Sequence, residues 1–216
     1  MHSDDLIYKT PANFDIFSYI DNTVADELKA GITVFKNSKE KIVTVFGSAR
    51  THENEKEYQI AEELGKKLAE NGFSVMTGGG PGIMEAALKG AFLNNGQTYG
   101  INVILPHEQE SNGYITRGYR CKHLFTRKVL LTRNVCGYVV LPGGFGTLDE
   151  IFDVLTLMNT KIQDKLPFIM IGIEFWSGLI EWLKNHVLPK HYITEEEFSH
   201  ITLTDSIDEA ISLLKI

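Results

Sequence analysis

The sequence is poor in cysteine, in long apolar runs and in net positive charge. Its 216 residues include two cysteines, Cys121 and Cys136, and no apolar run reaches the roughly 18 residues that cross a bilayer. The N-terminus has acids where a signal peptide needs basic residues, so we expect a cytoplasmic protein that does not bind membranes. The formal net charge of −7 argues against a nucleic-acid partner, because binding to a phosphate backbone depends on clustered Lys and Arg.

Metal-site and nucleophile patterns are also missing. The seven histidines do not form a ligand set by spacing, since His186 and His191 are five residues apart and no His-Glu-x-x-His occurs. We therefore expect no metal. The two cysteines lack the partners of a nucleophile, which favours structural thiols.

Two common nucleotide-binding motifs are absent as well. The segments Gly80-Pro-Gly-Ile-Met-Glu85 and Gly144-Phe-Gly-Thr-Leu-Asp149 lack the third glycine of the dinucleotide fingerprint, which argues against a nicotinamide cofactor. No segment reads Gly-x-x-x-x-Gly-Lys-Ser/Thr, so the phosphate loop of ATP- and GTP-hydrolysing proteins is missing too. The pattern of the two segments suggests a small monophosphate as the ligand.

Short apolar segments alternate along the chain with amphipathic ones. The alternation predicts strands at 41–46, 73–77, 98–105, 137–141 and 168–173, and helices at 14–35, 55–71, 81–93, 125–134, 147–158, 175–187 and 205–214. This order indicates a doubly wound α/β fold with a mostly parallel sheet and helices on both faces. We expect a single domain over residues 1–216. Its leading helical segment, residues 1–40, lies outside the alternation and either covers a sheet edge or meets a second subunit.

Glycine-rich loops follow two of the predicted strands. In doubly wound sheets, ligands bind where strands lead into helix N-termini, and free N–H groups there hold anions. The first loop contains Gly79 and Gly80. The second contains Gly143, Gly144 and Gly146, followed by Thr147, whose hydroxyl can cap the helix or bind a phosphate oxygen. Tight strand-to-helix turns would explain one such loop without a ligand.

Charged residues lie beside the second loop. Glu150 is predicted in the first turn of the helix that begins at Thr147, where the helix dipole favours a carboxylate whatever its function. Arg127 and Lys128 lie at the start of the preceding helix, where positive charges oppose the dipole. Their placement suggests an anionic ligand, and a solvated basic pair is the alternative.

Three segments in this order resemble a known family. They are Thr77-Gly-Gly-Gly-Pro-Gly-Ile-Met-Glu85, the pair Arg127-Lys128, and Pro142-Gly-Gly-Phe-Gly-Thr-Leu-Asp-Glu150. Together they resemble the LONELY GUY family of cytokinin-activating phosphoribohydrolases, whose members were often labelled lysine decarboxylases. The likeness runs from about residue 43 to 160 and includes Phe46-Gly-Ser-Ala-Arg50 and Leu105-Pro-His-Glu-Gln109.

The resemblance implies a Rossmann-like fold, a homodimer, no cofactor, and hydrolysis of a nucleoside 5′-monophosphate to free base and ribose 5-phosphate. AMP and a cytokinin riboside monophosphate are equally allowed as the substrate. Arg127 and Glu150 match the catalytic residues of the family. The predicted substrate-binding residues are Ser48, Gly79, Gly80, Glu108, Lys128, Gly143, Gly144, Gly146 and Thr147.

Two other functions compete with hydrolysis. The molybdenum-cofactor carrier proteins have a similar fold and similar glycine motifs but hold a ligand without cleaving it, so a nucleotide or cofactor carrier is the leading alternative. Decarboxylation with pyridoxal phosphate needs a lysine placed for a Schiff base, and nothing in the sequence marks one. In the predicted reaction, an ionised Glu150 stabilises the cationic sugar and accepts a proton from water, and Arg127 orients the nucleotide. The proton donor to the base is left open.

Overall fold

The computed structural model describes residues 16–36, 40–105 and 111–215. The strands are β1 Lys41–Phe46, β2 Phe73–Thr77, β3 Thr98–Val103, β4 Arg117–Cys121, β5 Gly137–Val140, β6 Phe168–Ile171 and β7 Ile201–Thr204. The helices are α1 Ile16–Ile32, α2 Lys56–Glu70, α3 Ile83–Leu93, α4 Leu124–Thr132, α5 Phe145–Asn159, α6 Ile173–Trp182, α7 Glu195–Phe198 and α8 Ile207–Leu214. A 3₁₀ turn, Thr33–Phe35, follows α1, and a π-helical turn, Leu183–Val187, follows α6.

Within the described residues the strands form one sheet in the order β4-β3-β2-β1-β5-β6-β7, and every pairing is parallel. Val43 of β1 pairs with Val75 of β2 on one side and with Gly137 of β5 on the other. The chain therefore builds outward from β1 in one direction and, after β4, returns to build in the other. This confirms the doubly wound α/β prediction and creates a switch point between β1 and β5, where such sheets bind ligands.

The sheet separates two apolar cores. Val43 and Val45 of β1 face α2, α3 and α8, whereas Ile42 and Phe46 face α4, α5 and α6. Because successive side chains of a strand point to opposite faces, a strand covered on both sides reads as one continuous apolar run. That is why β1 is recognisable in the sequence.

Two strands at the edges of the sheet were not predicted. β4, with the sequence Arg-Gly-Tyr-Arg-Cys, is mostly exposed or half-buried, and β7 has only one fully buried residue. Each of these strands has one buried residue, so neither carries an apolar run that would mark it. Strand predictions based on buried runs fail at such positions.

Helix α5 begins earlier than predicted. Its N-cap is Gly144, and the Leu148 N–H donates the first intrahelical hydrogen bond to the Gly144 carbonyl at 3.0 Å. The helix therefore starts at Phe145 rather than at Thr147. Glu150 is its sixth residue and lies in the second turn, which corrects the first-turn prediction.

The leading helix α1 contacts α4 and the edge strand β4. Its predicted start at residue 14 lies outside the described residues, and the observed helix ends at Ile32. Of the two roles considered for this segment, covering a sheet edge is the one seen within the described chain. None of the helices in the described part of the chain is both long and apolar enough to span a membrane.

Candidate active site

A cleft of about 590 Å³ opens at the carboxyl ends of the central strands. Its described lining comes from the end of β1 and the loop that follows, from Gly78 after β2, and from the start of α5, together with Met84, Arg127, Leu131 and Glu150. The volume lies within the usual range for small-molecule sites. The cleft therefore occupies the switch point that the topology creates.

Backbone hydrogen bonds at Ser48 hold the loops around the cleft together. The Ser48 N–H donates to the Pro142 carbonyl at 3.0 Å, and the Ser48 carbonyl accepts from the Ile83 N–H at 2.9 Å. The loop after β1 is thus tied to both glycine-rich loops. The Ser48 hydroxyl oxygen accepts from the Arg50 N–H at 3.0 Å, which shapes the turn that carries Arg50 into the lining.

Arg127 is held in a tightly defined place by α4 and β3. Its Nε–H donates to the Ile101 carbonyl at 2.9 Å. A Cβ atom at Gly78 would lie 1.8 Å from Nη2 of Arg127, so the guanidinium occupies space that a glycine leaves open. Burial lowers the pKa of Arg127, and the negative charge of Glu150 opposes that shift.

Glu150 is a buried carboxylate in the lining of the same cleft. The residue is 6% exposed, and its Oε2 atom has no hydrogen-bond partner within the described chain. Burial raises the pKa of Glu150 to about 7, against the opposing charges of Arg127 and Lys128. Burying an unpartnered carboxylate costs stability, which a fold tolerates where a site requires the group.

The second glycine loop leaves backbone donors free at the N-terminus of α5. Because the first intrahelical bond is donated by Leu148, the N–H groups of residues 145–147 have no partner within the helix. A Cβ atom added at Gly144 or Gly146 would meet no protein atom within 4 Å. A Cβ atom at Gly143 would lie 2.1 Å from Oγ1 of Thr147, so Gly143 makes room for that hydroxyl. An anion can approach this end of the helix closely.

Comparison with known proteins identifies the family of this chain. A model of the family described as "Possible lysine decarboxylase" matches residues 84–214. The chain belongs to this family. It is the LONELY GUY family indicated by the sequence, so that prediction is confirmed.

Among curated relatives, the chain is 25% identical to a cytokinin riboside 5′-monophosphate phosphoribohydrolase of Rhodococcoides fascians, over 81% of this chain and 89% of that protein. It is 28% identical to a pyrimidine/purine nucleotide 5′-monophosphate nucleosidase of Escherichia coli K12, over 94% of this chain but 46% of that enzyme. It likewise spans 40% of a bifunctional cytokinin biosynthesis protein of Fusarium pseudograminearum. The molybdenum cofactor binding protein of Rippkaea orientalis has the same fold, with a TM-score of 0.64 and 21% identity over 83% of this chain and 98% of that protein.

The structure brings six of the predicted LONELY GUY site residues to the cleft: Ser48, Arg127, Gly144, Gly146, Thr147 and Glu150. Gly143 is not in the lining, but it leaves the space that the Thr147 hydroxyl occupies. Glu108 lies outside the described residues, as does the segment 106–110 that contains it.

Lys128 is not among the residues that line the cleft. Its Nζ pairs with Asp149 Oδ1 at 3.0 Å and with Asp153 Oδ1 at 3.4 Å, which joins α4 to α5. Burial lowers the pKa of Lys128, but the hydrogen bond to Asp149 and the charges of the two aspartates leave it raised overall. Lys128 thus connects the two helices, and its contact with substrate stays a prediction.

The first glycine loop contributes differently from the prediction. Gly79 and Gly80 are buried, and their carbonyls accept from the Asn112 N–H at 3.0 Å and from Asn112 Nδ2 at 2.9 Å. Gly79 has a φ of +70°, and a Cβ atom there would lie 2.5 Å from Oδ1 of Asn102. Of this loop, Gly78 is the residue that lines the cleft. Sequence reasoning missed it because the three glycines are adjacent and only the contact with Arg127 tells them apart.

Proposed function

We propose that this chain hydrolyses the N-glycosidic bond of a nucleoside 5′-monophosphate, giving the free base and ribose 5-phosphate. The observation that carries the proposal is the buried Glu150 carboxylate, unpartnered at Oε2, in the same cleft as free N–H groups of α5 and the Arg127 guanidinium. The carboxylate can stabilise a cationic sugar, and the N–H groups and the guanidinium can bind anionic groups. The curated relatives named for nucleotide cleavage support the same reaction.

The 5′-phosphate is assigned to the N-terminus of α5. Three backbone N–H groups and the positive end of the helix dipole are directed there, and Gly146 leaves the approach open. Thr147 adds a hydroxyl in the same turn. Anchoring the phosphate fixes the distance between the ribose and Glu150, one turn further along the helix.

Glu150 is assigned to the reacting carbon of the sugar. Cleavage of the C–N bond builds positive charge on the ribose, by analogy with glycoside hydrolysis. An ionised Glu150 stabilises this charge and accepts a proton from the water that attacks C1′. Its pKa of about 7 allows it to gain and lose a proton near neutrality. Among the described lining residues it is the one carboxylate.

Arg127 is assigned to orienting the nucleotide and to stabilising the negative charge that develops on the departing base. Its guanidinium is held by Ile101 and by the space at Gly78, so it can orient the nucleotide without reorganisation during the reaction. Arginine is a poor proton donor, so the departing base must receive its proton elsewhere.

The test is base release from AMP, CMP, GMP, UMP and isopentenyladenosine monophosphate, followed by chromatography. Wild-type protein should release base from at least one, and Glu150→Gln should lower kcat about 10²- to 10⁴-fold, the usual contribution of a positioned acid or base. Asp149→Asn is the matched control, because it makes the same chemical change at the next residue, which is exposed and pairs with Lys128.

Two results would contradict the proposal. Nucleotide binding without base release would move the chain to the carrier class suggested by the fold of the molybdenum-cofactor proteins. Near-normal turnover by a folded Glu150→Gln variant would remove Glu150 from the mechanism.

A pyridoxal-dependent decarboxylase would need a lysine in the cleft, and the described lining residues include none.

We also propose that the chain acts as a homodimer. The support is a set of exposed apolar side chains on the adjacent helices α4 and α5: Leu124, Phe125, Val129, Phe145 and Phe152. Phe145, beside the cleft, is 92% exposed. Apolar surface of this kind marks interaction sites. Sedimentation of the wild type as a dimer, and of Phe152→Glu as a monomer, would support this interface, whereas a monomeric wild type would contradict it.

The cytoplasm is the proposed location. Its support is that Cys121 and Cys136 both carry free thiols, which suits a reducing compartment. The expectation that the chain binds no nucleic acid stays a prediction.

A further inference from the structure

Glu27, on the leading helix α1, is a buried carboxylate far from Arg127 along the chain. The residue is 5% exposed. Its oxygens accept hydrogen bonds from the Lys122 N–H at 3.0 Å, from the His123 N–H at 3.2 Å and from the Thr126 hydroxyl. The His123 Nδ1 atom lies 3.2 Å from Oε2. All four groups belong to the first turn of α4 or to the residues that lead into it.

Helix α4 does not cap itself. Its N-cap residue, His123, makes no side-chain capping bond. In a capping box, a glutamate in the helix's own first turn accepts the N–H of the N-cap residue. Here Glu27 performs this task from another helix, and its negative charge lies at the positive end of the α4 dipole.

The carboxylate of Glu27 is held in its charged form. Burial acts to raise its pKa, but the hydrogen bonds from Thr126, Lys122 and His123 outweigh burial and leave the pKa lowered. Four polar contacts with one charged group define the start of α4 far more narrowly than apolar packing would.

Arg127 is the residue directly after Thr126. Its guanidinium has little freedom, because Nε donates to Ile101 at 2.9 Å and a Cβ atom at Gly78 would already overlap Nη2. The backbone of Arg127 moves with the first turn of α4, so we expect a shift of that turn to pull the guanidinium out of its contacts with Ile101 and Gly78.

The packing of α1 on α4 is equally close. A Cβ atom at Gly31, one turn after Glu27, would lie 2.3 Å from Cδ1 of Leu130. The two helices thus meet through a glycine and through the buried carboxylate, which fixes their relative position at two points.

We propose that Glu27 is a positioning residue for Arg127, through which the leading helix sets the geometry of the active site. Glu27 lies outside residues 84–214, the part matched by the family model. The inference rests on the proposed function for its kinetic consequence, but the placement of Arg127 can be measured without any activity.

The experiment compares Glu27→Ala and Glu27→Gln with wild type, well below their unfolding temperatures. Asp26→Asn is the matched control, because Asp26 is a neighbouring acid on α1 whose side chain is 77% exposed. One readout is kcat and KM for the best-cleaved nucleotide. The other is the ¹⁵N-edited NMR signal of the Arg127 Nε–H group, assigned by its loss in Arg127→Lys.

Glu27→Ala should lower kcat/KM about 10- to 100-fold, the loss typical of a catalytic group displaced by about 1 Å. It should also shift or broaden the Arg127 Nε–H signal. Glu27→Gln should restore part of both, because its amide oxygen still accepts one hydrogen bond. Asp26→Asn should match wild type in both.

A purely structural role would give a lower unfolding temperature with unchanged kcat/KM and an unchanged Arg127 signal, and that result would overturn the proposal. If Glu27→Ala does not fold, Glu27→Gln decides by the same criteria. If wild type releases no base, the proposed function fails, yet the Arg127 signal still decides whether Glu27 positions this side chain. A shifted signal supports the placement, and an unshifted one refutes it.

Discussion

Gly146 offers a substitution that should strengthen the fold and weaken the site. It is the second residue of α5 and lines the cleft, and an added Cβ atom would meet no protein atom within 4 Å. Glycine in the middle of a helix costs about 0.5–1 kcal/mol relative to alanine, and this is the upper limit for a first-turn position. Gly146→Ala should therefore raise the free energy of unfolding by up to that amount, which corresponds to a rise of up to about 2–4 °C in the unfolding midpoint for a chain of this size.

The same methyl group should interfere with a bound phosphate. A phosphate oxygen that accepts from the α5 N–H groups must approach their nitrogens to about 2.7–3.2 Å, which leaves no room for an added carbon beside them. Loss of one charge-assisted hydrogen bond costs about 1.5–3 kcal/mol. Gly146→Ala should thus raise KM, and the Kd for ribose 5-phosphate measured by calorimetry, about 10- to 100-fold.

Gly178→Ala is the matched control. Gly178 is an exposed residue of α6, and an added Cβ atom there also meets no protein atom within 4 Å. It should show the gain in stability without the loss of binding. Unchanged KM and Kd in Gly146→Ala would remove the phosphate from the N-terminus of α5. A loss of stability would show that the fold itself requires glycine there.

Three further predictions concern the catalytic pair. kcat/KM should rise about tenfold per pH unit up to about pH 7 and then level off, because the ionised Glu150 is the active form; a flat profile would contradict that role. Since burial raises the pKa of Glu150 from 4.5 to about 7, the folded protein binds more protons than the unfolded chain in this window. The resulting stability, about 3 kcal/mol, is complete below pH 4.5 and lost as pH rises through 7. Glu150→Gln removes this titration, so its free energy of unfolding minus that of wild type should be larger at pH 8 than at pH 5. Thermal unfolding measures this difference, and an equal value at both pH values would refute the burial argument. Gly78→Ala should lower kcat/KM about 100-fold, because its Cβ would lie 1.8 Å from Nη2 of Arg127 and must displace the guanidinium; activity equal to that of Gly178→Ala would show that the exact place of Arg127 is unimportant.

The sequence by itself determined the order of the central elements and the position of the glycine loops. Strands covered on both faces are apolar throughout, and helices carry one buried stripe, so both patterns are local and readable. Arg127 and Glu150 were recognisable as charged residues near predicted helix starts, and the family resemblance supplied their roles. The edge strands β4 and β7 lack that pattern, because each buries only one residue.

Only the tertiary structure decided which residues face the cleft. Gly78, Gly79 and Gly80 are equivalent in sequence, and contacts with Arg127 and Asn112, distant along the chain, distinguish them. The ion pairs of Lys128 with Asp149 and Asp153 join two helices, and the sequence did not show them. Glu27 carried no signal at all, since its partners are 95 or more residues away. Local pattern records what each segment buries, whereas the direction of a polar side chain depends on which segments the fold brings together.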